Sequence, residues 1–165
     1  MQKSKTLVLN SSQIQKKIHR MAWEIYEKNY SEKEIIIAGI EKRGVLLAKR
    51  IEEVLIKISK IKISSTYIKI NKKNPLENKV EIGNIDFQNK TIIVVDDVLK
   101  SGRTLTFGIQ KFINQPIKKI MTCVLVDRNY KKFPVKADVV GMSLSTTMQE
   151  HVKVNLGKDE GVYLE

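Results

Sequence analysis

The chain has 165 residues, with 30 Lys and Arg against 18 Asp and Glu, for a formal net charge of +12. That length holds a single domain over residues 1–165 with a real core and leaves little room for a second. The N-terminus lacks the apolar core of a signal peptide, and no segment approaches the ~20 apolar residues of a membrane span. The lone Cys123 excludes an intrachain disulfide, so a cytoplasmic setting is expected.

A positive excess of this size favours polyanionic partners, a phosphorylated metabolite or RNA among them. The lysines scattered at positions 57, 60, 62 and 69 read equally as solvated faces. In chain order, residues 6–9 form a short apolar stretch, an edge strand or an N-terminal arm. Ser11 and Ser12 offer an N-cap. Ile14, Ile18, Met21, Ala22, Ile25 and Tyr26 then fall on one helical face, and the helix is expected to stop near Asn29. Lys16, Lys17, Arg20 and Lys28 lie largely off that face, a basic side suited either to RNA or to water.

Ile-Ile-Ile-Ala at 35–38 reads as a strand buried on both faces. It runs into a glycine-bounded turn, Gly-Ile-Glu-Lys-Arg-Gly at 39–44, and a helix follows with Val45, Leu46, Ala48 and Ile51 inward. Lys42 and Arg43 could grip an anion there with backbone help. A tight connection with two exposed cations reads as well. Residues 61–70 alternate apolar and polar, as a half-covered strand does, and residues 71–90 turn polar, with a short strand or loop over 80–87.

Residues 91–105 carry the strongest signal. Ile92 to Val95 is a β-branched run, Asp96 and Asp97 follow, then Lys100-Ser-Gly-Arg-Thr104, and Leu105, Ile109 and Phe112 recur at helical spacing. A turn opening a helix presents free N–H groups and the positive end of the dipole, an anion site. Gly102 permits close backbone approach, and Ser101 and Thr104 add hydroxyl donors. Paired carboxylates at the carboxyl edge of a sheet suit the vicinal hydroxyls of a sugar or a divalent metal held through water. The order therefore fits a sugar phosphate, a capped acidic loop, or the metal pocket of a phosphoacceptor domain. Residues 119–126 form another apolar strand, and residues 152–156 and 162–164 a closing strand pair. Cys123 lies inside an apolar run, as a buried inert thiol does.

Val-Val-Asp-Asp-Val-Leu-Lys-Ser-Gly-Arg-Thr at 94–104 resembles the phosphoribosyl-pyrophosphate (PRPP) motif of type I phosphoribosyltransferases. Residues 39–50 resemble the pyrophosphate loop and helix of the PyrR-type uracil enzymes, and residues 126–141 resemble that family almost residue for residue. The resemblance implies a three-layer α/β fold with a central, mostly parallel sheet flanked by helices, a flexible lid hairpin over 71–90, and a small C-terminal hood. It implies transfer of ribose 5-phosphate from PRPP to a nucleobase, uracil first, with release of pyrophosphate. Asp96 and Asp97 would be catalytic, binding the ribose hydroxyls and steadying charge on the ring. Val98, Leu99, Lys100, Ser101, Gly102, Arg103 and Thr104 would cradle the 5-phosphate, and Glu41, Lys42, Arg43 and Gly44 the pyrophosphate. Arg128, Val139 and Val140 would line the base. Mg²⁺ would arrive with PRPP and meet Asp96 and Asp97, and the chain would associate as a homodimer or higher homo-oligomer. The alternative is a PyrR-like regulator that binds a pyrimidine-operon leader RNA, or a nucleotide sensor with little turnover.

The sequence departs from the PyrR pattern at Trp23, where a polar or basic residue is usual, and in three further places. The lid is shorter, with Ile-Lys-Ile-Asn after Tyr67 instead of Arg-Asp-Asp. Asn129-Tyr130 replaces Gly-His, and Ser-Thr-Thr-Met at 145–148 replaces Pro-Thr-Ser-Lys.

Overall fold

The computed structural model describes residues 5–71, 76 and 80–165. Its central sheet has six strands in the order β4-β3-β2-β5-β6-β7. These are β2 (Glu34–Ile40), β3 (Lys62–Lys69), β4 (Glu81–Ile82), β5 (Thr91–Leu99), β6 (Lys119–Asp127) and β7 (Val139–Ser143). All neighbouring pairs are parallel except β3 with β4. β2 and β5 are buried almost throughout, as unalternating Ile/Val runs require of strands covered on both faces.

The pleat divides their side chains between two cores. Ile35, Ile37, Ile93 and Val95 meet helices α1 (Ser11–Asn29) and α2 (Glu41–Ile58). Ile36, Ala38, Ile92 and Val94 face the other side, with Leu105 and Phe112 of α3 (Arg103–Ile113). A second sheet, in the order β1-β9-β8, joins β1 (Thr6–Asn10) to β8 (Val152–Asn155) and β9 (Gly161–Leu164), both pairs antiparallel. Arg50 of α2 reaches Glu160 beside this sheet, and Ser11 donates to the same carboxylate. The small sheet is thereby tied to both helices on its side. The lid hairpin expected over 71–90 falls in part outside the described residues.

Several expected boundaries move. Asn10, not Ser11 or Ser12, caps α1: its Oδ1 accepts from Gln13 N at 2.9 Å, and Gln13 Oε1 accepts from Asn10 N at 2.8 Å, a reciprocal capping box. α2 begins at Glu41, so Lys42, Arg43 and Gly44 ride its first turn and no longer form a loop before it. That start sets the helix phase. Gly44 takes the position against β5, where a Cβ would lie 2.6 Å from Val95 O, and Leu47, Ile51, Val54 and Leu55 follow it inward. Val45 and Leu46, expected inside, face outward.

Candidate active site

β5 outruns its apolar residues. Asp96 pairs with Val124, Val98 with Val126 and Leu99 with Asp127, so both acids belong to the strand and do not follow it. They are nearly fully buried. Asp96 Oδ1 accepts from Asp97 N at 2.9 Å. Asp97 continues the face of Ile93 and Val95 and meets α2, where its Oδ2 lies 3.0 Å from Arg43 Nε. Arg43 also donates to Val154 O of β8 at 3.3 Å. One guanidinium thus joins a buried carboxylate, the N-terminal turn of α2 and the small sheet.

After Leu99 the chain turns through residues 100–102. Gly102 adopts φ +86, which L side chains rarely reach, and a Cβ there would sit 2.6 Å from Val135 Cγ1. The residues after β6 hold this turn in place, because Lys132 N and Phe133 N both donate to Ser101 O, at 2.8 and 3.0 Å. Arg103 and Thr104 belong to the first turn of α3, and Arg103 N donates to Ser101 Oγ at 3.3 Å.

A cavity of about 560 Å³ opens here, at the carboxyl edge of the parallel strands, where open α/β sheets take ligands. It is lined by Arg43, by residues 96–105, and by Arg128, Tyr130, Lys132, Phe133, His151 and Val152. Lys and Arg outnumber Asp in that lining, five to two, so the field favours an anion. The structure therefore gathers Asp96, Asp97, residues 98–104, Arg43 and Arg128 around one space. Val98 and Leu99 enter it as strand residues whose side chains pack into the two cores.

Glu41, Lys42 and Gly44 lie just outside the lining. Glu41 has φ +48, and its Oε1 accepts from Ile70 N at 2.9 Å, which ties the start of α2 to the end of β3. Val139 and Val140 lie on β7 away from the cavity, and the carbonyls of Val140 and Gly141 accept from Arg20 of α1 at 2.6 and 2.8 Å. Arg128 is buried and engaged by its own chain. Its Nε donates to Thr146 Oγ1 at 2.8 Å, and its NH2 to Thr147 O and Glu150 O at 3.2 and 2.7 Å. Glu150 Oε2 in turn accepts from Thr147 N at 2.6 Å, and this hydrogen bond holds the carboxyl below its usual range.

Sequence reasoning did not single out Tyr130, Lys132, Phe133, His151 or Val152 as site residues. Tyr130 carried a signal, since it follows the strand-ending Asp-Arg by two residues. His151 carried none, because only the return of β8 over the sheet edge brings it in.

A family model described as the phosphoribosyl transferase domain matches residues 6–156. The chain is 35% identical over 164 residues to the bifunctional protein PyrR of Clostridium kluyveri, across 94% of this chain and 93% of that protein. Its identity to the bifunctional protein PyrR of Fusobacterium nucleatum is 33%, across 96% and 97%. Among solved structures, a hypoxanthine-guanine phosphoribosyltransferase from Bacillus anthracis matches with TM-score 0.73 and 24% identity, over 89% of this chain and 86% of that one. The hypoxanthine phosphoribosyltransferase of Trypanosoma cruzi matches with TM-score 0.75 and 13% identity, over 89% and 84%. At those identities the two structures show a shared fold.

Proposed function

Because the chain belongs to the phosphoribosyltransferase family, and within it to the PyrR type, we propose that it acts as a PyrR-like protein with two activities. The cavity takes PRPP and uridine nucleotides and transfers ribose 5-phosphate to uracil, and the basic exterior binds a pyrimidine-operon leader RNA. Similarity along nearly the whole length to proteins called bifunctional favours this over a salvage enzyme alone. One observation supports the chemistry above all: a buried acid pair, a helix-opening turn and Arg43 converge on a single cavity.

The 5-phosphate sits on residues 100–104, where backbone N–H groups at the start of α3 and the Ser101 and Thr104 hydroxyls donate to it. Asp96 and Asp97 accept from the ribose hydroxyls. Pyrophosphate lies at the first turn of α2, against the Lys42 and Arg43 charges and the N–H groups near Gly44. Its capture exchanges the Asp97 partner of Arg43 for phosphate oxygens. In the reaction the bond from C1 to the pyrophosphate oxygen breaks, a bond from a base ring nitrogen to C1 forms, and the ring proton passes to water. Positive charge builds on the ribose ring in the transition state, as in glycoside hydrolysis, and faces the two carboxylates. Positioning provides the rest.

Asp96 and Asp97 offer the hard oxygen donors that Mg²⁺ prefers. Among the described residues no cluster of three or more His, Cys, Asp or Glu could hold a metal alone. This donor set fits an ion that brings phosphate oxygens with it. Asp96 and Asp97 would hold such an ion, and the chemistry it would supply is neutralisation of charge on the leaving pyrophosphate.

The test is pyrophosphate release from PRPP and Mg²⁺ with uracil, hypoxanthine, guanine or orotate. Uracil is expected to turn over fastest. Asp96→Asn and Asp97→Asn are each expected to lower turnover by about tenfold or more, the scale of a lost transition-state electrostatic contact. Unchanged rates in both variants would remove the acids from the mechanism, and no release with any base would remove the reaction.

A further inference from the structure

A second cavity, of about 460 Å³, lies at the amino edge of the central sheet, where α1 and α2 end. β2 runs from that edge toward the cavity that holds the acids, and its seven residues at about 3.3 Å each set the two roughly 20 Å apart. Tyr26, Ile58 and Ile61 line the second cavity and also belong to the core beneath α1 and α2, so its inner surface is apolar. Tyr30, four residues after Tyr26 and on the same helix face, stands exposed at the rim. The hydroxyls of both tyrosines and the ammonium groups of Lys57 and Lys60, in the same lining, have no protein partner among the described residues. Two helix ends with free carbonyls would draw a cation. Here those carbonyls are occupied. Asn29 O accepts from Glu32 N at 2.9 Å, Lys28 O from Lys119 Nζ at 3.2 Å, and Leu55 O from Ser59 N and Ser59 Oγ, both at 2.9 Å. Glu32, the one carboxylate in the lining, pairs with Lys118 at 2.9 Å. The uncommitted charge in the lining is therefore positive.

We propose that this cavity is a second ligand site, which takes a planar aromatic ring bearing an anionic group, as in a nucleoside monophosphate or an aromatic carboxylate. The ring lies against the apolar inner surface and the Tyr26 and Tyr30 rings, where aromatic contact adds to burial. The anionic group meets Lys57 and Lys60, and either phenol can donate to it. Neither half suffices alone: exposed lysines hold a bare anion weakly, and a neutral ring leaves both ammonium groups unmatched. The site shares no lining residue with the cavity that holds Asp96 and Asp97, so it stands or falls apart from the reaction proposed there.

Trp23, the only Trp in the chain, reports on the site, because its ring packs edge-on against Tyr26 with 6.0 Å between centroids. Its indole N–H gives one resonance in an NMR spectrum. Titration with UMP or with benzoate should move that resonance saturably, and a response to either one supports the site and names the source of the ring. Uridine and inorganic phosphate, each with half of the chemistry, should bind at least about fivefold more weakly than the better of the two, the scale of one aromatic contact or of two exposed ion pairs. Ribose 5-phosphate should leave the resonance in place. Tyr30→Ala, and Lys57→Ala with Lys60→Ala, all at exposed positions, should each weaken binding about fivefold on the same scale. No movement with either aromatic anion overturns the site. Wild-type affinity in either variant does so too, as does uridine or phosphate binding as tightly as the aromatic anion. A shift with ribose 5-phosphate equal to that with UMP would place the response in the other cavity and overturn it equally.

Discussion

Asn129 holds φ +53, in the left-handed region, and its N–H donates to Asp127 Oδ1 at 2.8 Å. The turn it makes starts the segment that carries Tyr130, Lys132 and Phe133 into the cavity wall. Asn tolerates this conformation better than any β-branched residue, because its short side chain bonds locally. Asn129→Gly should therefore leave stability within about 0.5 kcal/mol, and Asn129→Val should cost about 1–2 kcal/mol. In a chain of this size ~1 kcal/mol moves Tm by about 2–4 °C, so thermal melts of the two variants should separate. Equal melting of Asn129→Val and wild type would mean the turn relaxes without strain. The difference from the Gly-His of the PyrR pattern was visible in the sequence. That Asn129 takes a left-handed backbone there needed the dihedral. The acids were legible for the opposite reason: residue type and spacing alone define an acid pair before a small-residue turn. The commitment of Arg128 to three partners 18 to 22 positions away was not, since nothing local marks it.

At the scale of elements, the Ile/Val runs of β2 and β5 were legible because a parallel strand covered on both faces has no polar side to interrupt it. The ends were harder. β5 continues through two aspartates because its partner β6 continues, and ladder bonds outrank side-chain polarity where the acids can face a cavity. The start of α1 shows a competition between caps. Ser11 and Ser12 both favour an N-cap, but Asn10 wins because Gln13 stands at the third helical position to close the box. Ser11 Oγ is occupied elsewhere, donating to Glu160. Asn10→Ala should then lose about 1 kcal/mol, and Ser12→Ala, at an exposed position, should melt with the wild type. The reverse result, with Ser12 sensitive and Asn10 silent, would move the cap into the helix.

Across the whole molecule, the joining of β1 to the C-terminal strands was beyond local pattern. Thr6 pairs with Leu164, and short apolar runs that far apart carry no mark of one another. The charge was legible as a total and not as a distribution. Glu24, Glu32, Glu34 and Glu160 are all engaged in ion pairs, so much of the acidic complement is already met and the surplus cations set the outer field. The basic side of α1 divides on closer view. Arg20 holds the carbonyls of Val140 and Gly141 and pairs with Glu24, and Lys28 pairs with the same Glu24. Both serve the fold. Lys16 is exposed and Lys17 half-buried, and neither enters an ion pair among the described residues. If this face meets leader RNA, those two lysines carry the contact. Each phosphate contact with single-stranded RNA contributes about −0.7 to the slope of log K against log salt. Filter binding of a U-rich leader RNA should thus weaken steeply with salt, and Lys16→Ala with Lys17→Ala should make the slope shallower by about 1.4, two contacts' worth. An unchanged slope would place the RNA surface elsewhere. Salt-insensitive or sequence-blind binding by the wild type would leave the cavity as the only function, and the net charge of +12 as a property of the solvated surface.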